Sequence, residues 1–215
     1  MTTPRQVLDV SIATPGATLS GEAWLPPGAP GIVLFAHGSG SSRMSPRNRA
    51  VADAIVRGGI GTLLFDLLTA DEESRDRVDG SLRFDIGLLT ERLVAATRWL
   101  RNQDWAEELT LGYFGASTGA AAALAASVVC PVRAVVSRGG RPDLAWTTLP
   151  RVRAPTLLIV GSHDPVVLEL NQRAQAQLTC ESKLEIVRGA THLFEEPGAL
   201  EQVAALATSW FQRWL

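Results

Sequence analysis

At 215 residues, 46% of them hydrophobic, the chain is long enough to bury one sizeable core and short for two conventional domains, so a single domain spanning 1–215 is expected. Twenty Lys plus Arg stand against twenty-two Asp plus Glu, a balance that provides no global field for nucleic acid or an anionic membrane. The two cysteines, Cys130 and Cys180, sit in no C-x-x-C pairing and exclude a disulfide framework.

The N-terminus, MTTPRQVLDV, carries no apolar run of the kind a secretory signal needs, and nowhere do eighteen apolar residues follow one another. A cytoplasmic protein is expected. Lys183 is the only lysine, so any anion site must be built from guanidinium groups.

Two alternating runs, VLDVSIA and TLSGEAWL, flank Thr14-Pro15-Gly16-Ala17 and predict a β-hairpin from Val7 to Leu25. After a proline-rich stretch, Gly31 to Ala36 is continuously apolar, as in a strand buried on both faces. His37-Gly38-Ser39-Gly40-Ser41-Ser42 then forms a polar loop, and Asn48 to Arg57 resume a helical pattern closed by Gly58-Gly59. A second buried strand is expected at Thr62 to Asp66, followed by a charged, solvent-facing connection from Leu67 to Asp85. Leu89, Leu93, Ala96 and Leu100 recur at helical spacing within Ile86 to Arg101. Further strands are expected at Val132 to Ser137, Pro155 to Gly161 and Lys183 to Val187. Helices fit Val166 to Leu178 and Leu200 to Trp214, and Arg138 to Ala154 reads as an irregular connection.

Buried strands alternating with helices imply an α/β fold: a mostly parallel sheet of eight strands with an antiparallel N-terminal hairpin and helices on both faces. Ligands of such sheets collect beyond the carboxyl ends of the strands.

The stretch Leu109 to Cys130, LTLGYFGASTGAAAALAASVVC, reads as strand, sharp turn and Ala-rich helix. A serine on that turn, Ser117, has its Oγ lifted clear of the backbone, with room left by Gly115 and Gly119. It also opens a helix whose first N–H groups have no intrahelical partner, a setting that favours an oxyanion. The alternative is a serine N-cap on a buried helix.

A serine hydroxyl becomes nucleophilic when an imidazole accepts its proton and a carboxylate orients that imidazole. Two later strand ends supply candidates: Gly161-Ser162-His163-Asp164-Pro165 and Gly189-Ala190-Thr191-His192. The order is Ser117, Asp164, His192. Asp164 also fits the N-cap of the following helix, with Pro165 at its first position. Glu195 and Glu196 compete for the role of acid but do not end a strand. A metal held by His37, His163, His192 and Asp164 has no preformed H-x-H or H-x-x-x-H spacing, so none is expected.

These motifs together resemble the α/β-hydrolase superfamily, most closely its small lidless members similar to dienelactone hydrolases and carboxylesterases. The resemblance rests on His37-Gly38-Ser39-Gly40, Gly115-Ala116-Ser117-Thr118-Gly119, Gly161-Ser162-His163-Asp164 and Gly189-Ala190-Thr191-His192. It implies a nucleophile at Ser117, a base at His192, an orienting acid at Asp164, and an oxyanion hole from the N–H groups of Ser39 and Thr118. Dienelactone hydrolases proper carry cysteine where this chain has Ser117, so their substrate is not carried over. His37 is expected to shape the oxyanion loop through hydrogen bonds.

About fifteen residues separate the sixth and seventh strands, too few for a large lid. Arg138, Arg141 and Arg43 each invite two readings, binding an anionic substrate or pairing with a neighbour such as Asp66 or Asp143. Trp146 and Phe194 are candidates for pocket walls or for packing. The resulting expectation is a cofactor-free serine hydrolase acting on a small-molecule ester, thioester or lactone, with no nucleic-acid or membrane partner. The last helix offers a candidate homodimer face. The alternative is a non-catalytic binding or accessory protein that uses the same pocket.

Overall fold

The computed structural model describes residues 5–215; the first four residues of the N-terminal reading lie outside the described residues. β1 (Gln6–Thr14) and β2 (Ala17–Leu25) form the hairpin, closed by Pro15 and by Gly16 at φ 75°. That left-handed position is open to glycine at little steric cost. The remaining strands are β3 (Gly31–Ala36), β4 (Gly61–Phe65), β5 (Thr110–Ala116), β6 (Ala134–Arg138), β7 (Thr156–Gly161) and β8 (Ser182–Val187).

All eight join one sheet in the order β1-β2-β4-β3-β5-β6-β7-β8, antiparallel as far as the β2–β4 pairing and parallel thereafter. The chain steps outward from β3 to β4 and then returns to β5 on the other side of β3. The carboxyl ends of β3 and β5 are therefore where connections diverge and a crevice opens.

The helices are α1 (Pro46–Arg57), α2 (Ala70–Asp79), α3 (Ile86–Arg101), α4 (Thr118–Val129), α5 (Pro165–Gln175) and α6 (Ala199–Trp214). The two faces of the sheet bury separate apolar clusters. On one, Ile32, Leu34, Leu63, Tyr113 and Leu158 meet α3 and α4. On the other, Val33, Phe35, Phe114, Val136 and Ile159 meet α1 and α6 through Ile55, Val203 and Phe211. Each large side chain so buried contributes about 1.5–3 kcal/mol. The alanines of α4 are buried almost all round, and their small size lets the helix lie close to both the sheet and α3.

The sequence expectation fails in two connections. Within Leu67 to Asp85 the chain forms α2, a helix with one buried residue, Asp76, and therefore no apolar stripe to announce it. Its signals are local: the Thr69 hydroxyl accepts from Glu72 N–H at 3.2 Å and the Glu72 carboxylate accepts from Thr69 N–H at 2.8 Å, while Gly80 ends the helix at φ 67°. Glu72 also pairs with the buried Arg92 of α3 at 2.7 Å. Within Arg138 to Ala154, residues Pro142–Arg151 form 3-10 turns kinked at Ala145. No large lid stands over the sheet among the described residues.

α2 is tied to the connection that leads into α3 by Asp76, whose Oδ1 accepts from the N–H groups of Leu82 and Arg83 and whose Oδ2 accepts from Arg83 Nε at 2.7 Å. Replacing this acceptor is expected to free the segment without unfolding the sheet. In Asp76→Ala, amide exchange at Leu82 and Arg83 should rise by about tenfold or more while that of β3 and β5 stays as in the wild type.

Candidate active site

Ser117 follows the last residue of β5 and stands at the N-cap position of α4 with φ 51° and ψ −119°, an unfavourable backbone for a non-glycine residue. Such strain costs about 1–3 kcal/mol and persists where the surroundings over-determine it. Three hydrogen bonds do so: Ser117 N–H donates to Arg138 O, and Ser117 O accepts from the N–H groups of Ala120 and Arg141, each at 3.1 Å. The two flanking glycines allow close approach. A Cβ at Gly115 would lie 2.4 Å from Ala120 Cα, and one at Gly119 would lie 2.2 Å from Ala36 O.

The Ser117 side chain does not cap α4. Its Oγ lies 3.3 Å from His192 Nε2, and His192 Nδ1 lies 2.6 Å from Asp164 Oδ2. With Nδ1–H donating to the carboxylate, Nε2 presents its lone pair to the serine hydroxyl. The three residues come from the ends of β5, β7 and β8, which the sheet order places side by side with β6 between the first two.

Asp164 occupies the N-cap position of α5, yet its carboxylate makes no capping bond and turns to His192 instead. Pro165 at the first helical position removes one donor that would otherwise need that cap. The competing acids are engaged elsewhere. Glu195 pairs with Arg47 at 2.8 Å, and Glu196 accepts from Thr191 N–H at 3.1 Å, bracing the loop that carries His192. That hydrogen bond holds the Glu196 carboxyl below its ordinary pKa. Sequence reading missed this brace, for which a carboxylate four residues after a loop histidine is the only signal.

Thr118 is the first residue of α4, where helical N–H groups lack intrahelical partners. Ser39 lies in the loop after β3, and the neighbouring Gly38 comes so close to the elbow that a Cβ there would lie 3.1 Å from Ser117 Cβ. The buried His37 ring shapes this loop: Nδ1–H donates to Gly38 O and Nε2 accepts from Leu67 N–H, both at 3.0 Å. Burial lowers the His37 pKa below 6.5, so the ring is neutral, as its acceptor role requires. A cavity of about 460 Å³ opens beside Ser39 and Thr118 and is lined further by Gly40, Ser41, Leu67 and Leu68.

The three candidate arginines separate. Arg43 pairs with Asp66, which also accepts from Arg43 N–H at 2.7 Å, and Arg141 is held in a two-point pair with Asp143 at 2.8 and 2.9 Å. Arg138 at the end of β6 has no such partner among the described residues, and its Nε and Nη1 are enclosed without an acceptor. Burial, reinforced by the nearby Arg47, pushes its pKa down to about 10, which leaves it cationic at neutral pH. Phe194 is core rather than pocket wall: it packs among the α1 and α6 side chains. Trp146 is half-buried, with the Arg173 guanidinium 5.3 Å from its ring centre. Among the described residues no group of three or more His, Cys, Asp or Glu side chains could hold a metal ion. None of the described helices is long and apolar enough to cross a membrane.

A solved dienelactone hydrolase from Anabaena variabilis shares 55% of its sequence with this chain, covers 98% of it with 99% of its own length, and superposes with a TM-score of 0.96. The chain belongs to the dienelactone-hydrolase-like α/β-hydrolases. An esterase from Pyrococcus furiosus, 19% identical over 98% of this chain and 92% of its own, has the same fold at a TM-score of 0.78. No protein-family model matches. Curated relatives from two strains of Mycobacterium tuberculosis are 57% identical over 205 residues, which is 94% of this hydrolase-family chain and 45% of theirs. The chain thus spans less than half the length of those relatives, which carry the provisional name phosphoribosyl transferase.

His37 gives the site a pH signature. Its folded pKa is lowered, so its contribution to stability is full above pH 6.5, where the unfolded chain is also neutral, and is lost as pH falls through the folded value. Urea midpoints measured from pH 7.5 to 5 should fall, and the His37→Gln variant should fall less steeply over the same window.

Proposed function

We propose that this protein is a serine hydrolase that cleaves a small ester, thioester or lactone through an acyl-enzyme. The observation that carries this reading is the chain of contacts from Ser117 Oγ to His192 Nε2 and from His192 Nδ1 to Asp164. Ser117 Oγ attacks the substrate carbonyl while His192 Nε2 takes its proton, and Asp164 stabilises the imidazolium that results. The tetrahedral oxyanion is held by the N–H groups of Thr118 and Ser39, aided by the positive end of α4. As the bond to the leaving group breaks, His192 returns the proton to it. Water, deprotonated by the same nitrogen, then attacks the acyl-enzyme and releases the acid and Ser117.

The strained backbone of Ser117 supports this reading over that of a helix cap, because the side chain makes no capping bond. A companion that only binds ligands has no need of all three side chains in this order. The transferase named for the longer curated relatives is assigned, in this reading, to the part of their length that this chain does not match.

The test is hydrolysis of 4-nitrophenyl acetate and butyrate. Ser117→Ala should fall to background, and Asp164→Asn should lower kcat by about 10³–10⁴ because the imidazole is held in the wrong tautomer. Wild-type rates retained by Ser117→Ala would refute the mechanism.

A further inference from the structure

β8 (Ser182–Val187) is the last strand of the sheet and pairs on one side only, with β7. Its two ends fix which way its backbone groups point. Glu181 O accepts from Thr156 N–H at 2.8 Å, and Val187 O accepts from Ser162 N–H at 2.9 Å. Since a strand alternates with a period of two, Lys183 and Glu185 also turn their N–H and C=O groups toward β7, whereas Ser182, Leu184 and Ile186 turn theirs outward. The Gln175 side chain reaches Ser182 O from α5 at 3.4 Å, as an outward carbonyl allows. Ile186 is a large apolar side chain left 41% exposed on this open edge.

An open edge is a template for another strand, and charged side chains are one device that blunts it. On β8 the charges are placed so that a second copy answers them. Lys183 and Glu185 lie two residues apart on one face, with Nζ 2.5 Å from Oε1. When β8 pairs antiparallel with itself about an axis at Leu184, Leu184 faces Leu184, Ser182 faces Ile186, and Lys183 faces Glu185 of the second copy. The outward residues then make the hydrogen-bonded pairs. The Lys183–Glu185 pairs fall at the alternate positions, where facing side chains come closest. A slip of two residues sets Lys183 against Lys183 or Glu185 against Glu185, and a slip of one sets outward backbone groups against inward ones. A single register therefore satisfies both the backbone and the charges, and on the opposite face it brings the exposed Ile186 and the half-buried Leu184 to the seam. The other edge strand, β1, carries one charge, Asp9, with no opposite charge on the strand to meet it.

We propose that the β8 edge is a homodimer interface, in which two copies of this chain join antiparallel about Leu184 into one continuous sheet. The contact is isologous, each copy giving and receiving the same pairs about a two-fold axis, and its affinity comes from strand addition. Because the facing strands run in opposite directions, the carboxyl ends that carry Ser117 and His192 open on opposite sides of the joined sheet. Each copy so keeps its own site, and the interface is independent of the chemistry assigned to Ser117.

The test is sedimentation of the full chain over a dilution series from nanomolar to high micromolar, where the wild type should show a monomer–dimer equilibrium. Glu185→Lys and Lys183→Glu each set like charges across the seam and should raise the dimer Kd by about tenfold or more. An equimolar mixture of these two variants should recover the dimer as a heterodimer, and the exchanged pair Lys183→Glu/Glu185→Lys should recover the homodimer. Neither recovery is expected of a folding defect or of a dimer built on another face. Amide exchange at Leu184 and Ile186 should slow as the wild-type concentration rises. A wild type that stays monomeric throughout the series, or a dimer whose Kd is unchanged in both single variants, would overturn the interface.

Discussion

The junction between β5 and α4 is the constraint on which the rest of the site depends. A strand must turn into a helix within one residue, and the residue that absorbs the turn is a serine in a left-handed backbone conformation. The strain is tolerated because Ser117 is held from both sides, by Arg138 and Arg141 of the neighbouring strand end and by the first turn of α4. The helix in turn can approach only because Gly119 has no side chain to strike the carbonyl of Ala36. The same close approach brings the loop after β3 against the elbow, where Gly38 nearly touches Ser117. One backbone compromise therefore sets the positions of the serine, of the N–H groups at the head of α4 and of the opposing loop.

Around that junction, polar groups are assigned to separate tasks with little sharing. Asp164 gives up helix capping to hold His192, and Pro165 reduces the demand for a cap. Glu196 holds the histidine loop rather than the histidine, and Glu195 neutralises Arg47. His37 stays neutral under burial and joins the loop after β3 to the end of β4. Against this pattern of paired groups, Arg138 is the one buried guanidinium of the three candidates, and its Nε and Nη1 have no acceptor among the described residues.

Most of the architecture was legible in the sequence because its signals are strong ones. Buried parallel strands such as Gly31–Ala36 and Thr156–Gly161 are continuous apolar runs, and α3 and α6 carry clear apolar stripes. The contacts of Ser117, Asp164 and His192 were anticipated from their order and from their places at strand ends. α2 escaped because its stability comes from a capping box and from ion pairs rather than from an apolar face. Sequence left the two readings of Arg43, Arg138 and Arg141 open, since a guanidinium's partner depends on packing between distant segments. Phe194 was equally ambiguous: an aromatic residue beside a loop histidine gives no indication of which way it turns, and here it turns into the core.

The activated serine is most directly tested by intact-protein mass spectrometry after exposure to a fluorophosphonate probe. The account predicts a single adduct, mapped to Ser117, absent in Ser117→Ala and formed far more slowly in His192→Ala. A folded wild-type protein that stays unlabelled, or an adduct that survives in Ser117→Ala, would contradict it.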